Sequence, residues 1–206
     1  RRKGKIDKKL TLAGNPYNIA VSQWLIIKGL FLIFVPIVTL IFILITGRFS
    51  VKNIGILTFG TILAFIFPNL ILRQITKKRQ KEIVNTLPDV LDLLTVSVEA
   101  GLSFDGALAR LIEKFNGELS KEFSRVLSEI RMGRTRKEAL KDMINRCEVM
   151  DVTTFIGAII QADELGVGIS NVLRIQSQQM RQKRRQRAQE KAMKAPIKML
   201  FPLVLF

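Results

Sequence analysis

The sequence predicts an all-α fold. It reads as a polytopic membrane protein with two N-terminal transmembrane helices, a cytoplasmic six-helix bundle of hairpin repeats, and the start of a third transmembrane helix. Three observations lead there. Long apolar runs occupy positions 25–46 and 54–72, with a shorter one at 195–206. Between the last two, apolar residues recur at i, i+3, i+4 and i+7 rather than alternating, which is the period of a helix and not of a strand. Finally, 24% of residues are charged although mean hydropathy is +0.24, so the two kinds of residue are segregated along the chain.

Residues 1–22 form a basic cytoplasmic segment with six Lys or Arg and one acid. Residues 23–72 are predicted to be a transmembrane hairpin. Its first run, Leu25–Thr46, spans about 33 Å as a helix at roughly 1.5 Å per residue, enough for a hydrocarbon core of about 30 Å. Lys28, its only charge, lies one turn inside and can snorkel to the headgroups beside Trp24. Pro36 is expected to kink it. The run is too long for a signal-peptide core. The second run, Ile54–Leu72, has no charge. The loop between them, Gly47–Asn53, carries only Arg48 and Lys52 as basic residues, whereas Arg73, Lys77, Lys78 and Arg79 follow the second run. The positive-inside rule therefore puts the loop outside and the flanks in the cytoplasm.

Residues 73–194 are predicted to be the helical bundle, with six apolar stripes. They begin at Ile83, Phe104, Leu119, Leu140, Val152 and Ile169 and give six helices of about 12–25 residues. Gly101, Gly117, Gly133 and Gly166 stand where glycines end helices. Ser103, Asp151 and Ser170 are candidate N-caps, and Thr135-x-x-Glu138 reads as a capping box. Pro88 disfavours helix at Leu87, so a break or bend is expected near Asn85–Pro88.

The hairpins repeat. EAGLSFDGAL (Glu99–Leu108), RMGRTRKEAL (Arg131–Leu140) and ELGVGISNVL (Glu164–Leu173) keep the turn glycines Gly101, Gly133 and Gly166 in one register. Most such turns serve packing. The basic turn Arg131, Arg134, Arg136 and Lys137, with Glu99 and Glu164 at the sister turns, is the candidate surface for an acidic protein partner.

A continuous helix is expected through Ile169–Lys194, roughly 39 Å long. It contains the basic run Arg181, Lys183, Arg184, Arg185 and Arg187, and the apolar segment 195–206 follows as the beginning of a truncated third span. The basic run reads as a membrane flank attracted to anionic lipid. Nucleic acid is not expected, because no aromatic residue lies between Phe155 and Phe201 to stack on bases.

The net charge of +16 maps onto blocks that border the apolar runs, while residues 83–180 hold 11 basic and 14 acidic residues. With no His, catalytic triads that use it and His-containing zinc sites are excluded within this chain. One Cys excludes an intrachain disulfide, and Cys147 on an apolar stripe reads as a buried small residue. No phosphate-binding glycine motif is present, so neither an enzyme nor a cofactor is predicted. The acids Asp89, Asp92, Glu99, Asp163 and Glu164 near the turns read as solvated or paired with Arg110, Arg131 or Arg174; Asp92 has no evident basic neighbour on its own helix. Apart from Lys28, the two spans lack the charges that a transporter pathway needs.

The segments LPDVLDLLTVSVEAGLSFDGALARL, EIRMGRTRKEAL and ADELGVGISNVLRIQSQQM, with the basic stretch leading into KAPIKMLFPLVLF, closely resemble the F-domain family of type II secretion and type IV pilus platform proteins. Within it they are most similar to the tight-adherence (Tad, or Flp) pilus proteins of the TadC type. The resemblance implies a non-enzymatic platform in the bacterial inner membrane. It implies as partners a hexameric secretion ATPase, a TadB-type paralogue, pilin subunits and further copies of the platform, with the bundle on the cytoplasmic side.

Overall fold

The computed structural model describes residues 51–205, together with Leu12, Gly14, Ile26, Gly29, Leu30, Phe34, Ile37, Val38 and Ile41; the side chains of 51–65, 67–69 and 195–206 are outside that description. Most of the first apolar run, and nearly all of segment 1–22, lie outside the described residues. Among the described residues no helix is long and apolar enough to cross a membrane. The chain divides into two compact units, Arg1–Arg79 and Gln80–Phe206.

Six helices are described from residue 51 onward: α1 (Val51–Glu99), α2 (Phe104–Lys114), α3 (Glu118–Arg131), α4 (Arg136–Cys147), α5 (Met150–Leu165) and α6 (Ile169–Leu205). The boundary between the units falls within α1. Each stripe of the sequence lands on one helix and faces one core. Ile83, Leu87, Leu91 and Leu94 of α1 meet Leu108 and Leu111 of α2, Phe123 of α3, Leu140 and Met143 of α4, Phe155 and Ile159 of α5, and Leu173 of α6. Cys147 is buried among them. Consecutive helices pack on each other from α2 to α6.

Three of the turns close as the glycines predicted. At Gly101, with φ of 92°, the Leu102 amide donates to the Ser97 carbonyl and the Gly101 amide to that of Val98. At Gly133, with φ of 93°, Arg134 and Gly133 donate to Glu129 and Ile130 in the same pattern. Val167 after Gly166 donates to Ala162. These bonds satisfy carbonyls that a helix end leaves open, and the left-handed backbone they need suits glycine. The next helices are capped by the Ser103 hydroxyl, which accepts from the Gly106 amide, and by Thr135, which accepts from Glu138.

Four expectations need correction. Of the break or bend expected at Pro88, the break is absent: helix α1 runs through it. A proline inside a helix costs about 3 kcal/mol, but Leu87, Val90, Leu91 and Leu94 around it are buried, at about 1.5–3 kcal/mol each. Gly117 does not end a helix; it precedes α3, and the Glu82 carboxylate of α1 accepts from the Glu118 amide in place of a local cap. Asp151 is not an N-cap, because α5 starts at Met150 with Val149 before it. Ser170 lies inside the first turn of α6. The helix lengths also differ: α1 has 49 residues and α6 has 37, because each carries its bundle stripe and an apolar run in one helix.

Candidate functional site

The up-and-down order of the helices brings the three repeated turns to one end of the bundle, and ion pairs tie them together. Arg136, at the start of α4, lies 3.3 Å from Asp105 at the start of α2 and 3.1 Å from Asp163 at the end of α5. Its guanidinium carbon sits 5.4 Å from the Phe104 ring centroid, a cation–π contact. Lys137 pairs with Glu164 at 2.5 Å and holds that carboxyl below its ordinary range. Arg134 bridges Glu129 at 2.9 Å and Asp142 at 2.8 Å, and the bond to Asp142 raises its guanidinium above its usual value. Arg131 and Glu99 are exposed and make no ion pair among the described residues.

The basic turn is therefore largely neutralised by its own bundle. Beside Arg131 and Glu99, what this end presents is apolar. Leu102, Met132, Leu165 and Val167 are exposed, Met132 and Leu165 by 74% and 77%, and each lies beside a turn glycine. None of them belongs to an apolar stripe of the sequence. The available signal was an apolar residue flanking each turn glycine yet off the core stripes.

The second cluster lies along α6. Asp151, whose side chain is 6% exposed, receives Lys183 at 3.0 Å and also Arg187. Burial pushes the Asp151 carboxyl up, but the hydrogen bonds from Arg187 and Lys183 outweigh it, so it sits below the ordinary value. Asp92 accepts from Ser177 and pairs with Arg181 at 2.8 Å, which raises the Arg181 guanidinium. Arg184 pairs with Asp89 at 2.8 Å. These partners are not those named from the sequence: Arg174 instead bonds Asn171, and Asp92 finds its cation 89 positions away. Of the basic run, Arg185 stays exposed without an ion pair among the described residues. In the N-terminal unit Arg73, Lys77 and Lys78 are exposed, whereas Arg79 is buried and donates to the Leu12 carbonyl at 3.1 Å.

A family model described as type II secretion system (T2SS), protein F matches residues 90–206, from the second half of α1 through α6. The chain belongs to this family. No curated protein and no solved structure matches it. The protein F match thus covers all three repeated turns and the α6 cluster apart from Asp89.

Proposed function

We propose that this protein is a non-enzymatic inner-membrane platform of a Tad (Flp) pilus or type II secretion-like machine, most similar to the TadC type. It couples a cytoplasmic secretion ATPase to pilin assembly. The observation that carries this reading is the protein F match over the bundle and α6. The membrane part is supported by the two apolar runs of the sequence. It is also supported by a helical row in the N-terminal unit, Ile26, Leu30, Phe34, Val38 and Ile41, that exposes large apolar side chains. Exposed large apolar side chains at this spacing favour lipid or protein against them.

In this reading the three-turn end of the bundle meets the ATPase. Its exposed apolar residues supply the contact, and Arg131 with the paired Arg134, Arg136 and Lys137 supplies orientation. The four-cation contact of α6 holds that helix to the bundle, so displacement of the turns passes along α6 toward the apolar segment at 195–206. Arg185 and the exposed Lys191 and Lys194 meet lipid phosphates.

The test is co-purification of the full-length protein in detergent with the secretion ATPase and the TadB-type paralogue. A stable complex, weakened by Leu165→Asp and by charge reversal at Arg131, supports the platform and its motor contact. A complex indifferent to both moves the contact elsewhere. No complex with either partner, from folded and inserted protein, favours a membrane-tethered adaptor.

A further inference from the structure

A groove runs along the outer side of the α2–α3 hairpin, away from the three-turn end for most of its length. It consists of two adjoining, open depressions of about 530 and 400 Å³ that share Ile112, Ser124 and Ser128. One side of it is formed by Ala109, Ile112 and Glu113 of α2 and by Phe115 just past that helix, with Ile112 and Phe115 half-buried. Its wall on α3 is Ser120, Ser124 and Ser128, one residue per turn. Most amphipathic helices carry long polar side chains on this flank. Serine leaves the volume open, so a helix axis can approach to the 8–10 Å of close helix packing. The groove follows α3 from Gly117 to Arg131, a length of about 21 Å or four helical turns.

The outermost charges of the rim are mostly positive. Lys121 and Arg125 line the groove with side chains 73% and 62% exposed, and Arg131 closes its far end. Their intrahelical partners, Glu118 and Glu129, are 22% and 12% exposed, so the cations face outward and the acids inward. Glu113 is the one carboxylate lining the groove. A second copy docked groove to groove would set two cationic rims against each other.

We infer that this groove receives an amphipathic helix of a partner protein, with apolar residues on one face and carboxylates flanking them. This is helix-in-groove recognition in which the apolar face supplies affinity and the rim selects sign. It adjoins the motor contact at the turns, with Arg131 common to both, and does not require that contact.

The test uses the full chain in nanodiscs and a fluorescent helical peptide of about 16 residues, or four turns. The peptide has Leu at i, i+4, i+7 and i+11 and Glu on both flanks; its control has Lys in place of every Glu. Anisotropy should show saturable binding of the Glu peptide, at least about tenfold tighter than the Lys peptide and weakened by salt. Ser124→Trp, which fills the groove from an exposed position, should abolish it, and Ser124→Ala should not. Helical content by circular dichroism checks that the Trp variant is folded. Equal binding of both peptides, retention by Ser124→Trp, or no saturable binding to the wild type would overturn the inference. So would a fall in self-association on Ser124→Trp, since the occupant would then be a second copy. Leu165→Asp should leave peptide binding intact, which separates this groove from the turn surface.

Discussion

The two charged clusters of the bundle use the same residue types and behave differently. At the three turns, Glu164 and Lys137 are each about half exposed, at 49%. On α6, Asp151 is 6% exposed and two cations converge on it. Exposed pairs contribute little to stability because water and salt compete for both partners. A buried carboxylate has no such alternative, so removing its cations strands a charge. The Lys137–Glu164 pair is therefore exchangeable and Asp151 with Lys183 and Arg187 is a fixed joint, while the exposed Arg184–Asp89 pair of α6 resembles the turns.

The strongest way to break this contrast is to empty the joint. Lys183→Met with Arg187→Met leaves Asp151 buried and unpaired, and should cost about 3 kcal/mol. Hydrogen exchange of the α5 and α6 amides in the full chain would read this as faster opening of that region. Unchanged protection would mean that α6 is held by Leu173, Met180 and the Asp92 and Asp89 pairs without this joint. Next in size, Leu165→Asp or Met132→Asp should change stability by less than about 0.5 kcal/mol, as exposed positions do. Either should nevertheless weaken ATPase retention about tenfold, the size expected for an apolar interface anchor. If retention falls only together with stability, the turns are structural and not an interface.

Acid sharpens the contrast further. The folded Asp151 carboxyl lies below its ordinary value of 3.8. Its stabilising contribution is complete above that value and is lost as pH falls through the lower folded value. Unfolding midpoints of the wild type should thus drop more steeply below about pH 4 than those of Asp151→Asn. Parallel profiles would remove the carboxylate from the joint. The smallest effect belongs to Lys137→Ala, which should leave the unfolding midpoint where it is and raise the carboxyl of Glu164 toward its ordinary value of 4.5. A carbon-13 titration of Glu164 reads this directly.

Much of the bundle was legible before any coordinates. The stripes from Ile83 to Met180 named the core, and Gly101, Gly133 and Gly166 named the turns, because hydrophobic period and left-handed backbone are local properties. The repeat register also indicated that the three turns are equivalent. It did not show that Arg134, Arg136 and Lys137 are spent on Asp142, Asp105, Asp163 and Glu164, since only helix packing sets those distances. Pro88 misled for the same reason: its local cost is real, and the core around it is larger.

The sequence by itself therefore determined the all-helical class, the number of bundle helices, their buried faces and the family. Those follow from periodicity and from turn residues that act within a few positions. The tertiary structure decided the rest. Glu82 caps α3 from 36 positions away, and Gln80 donates to the Cys147 and Glu148 carbonyls at the end of α4. The cations of α6 found Asp89, Asp92 and Asp151 across the bundle. A hydrogen bond or ion pair acts over a few ångströms, so residues tens of positions apart acquire it only once the core has brought their helices together.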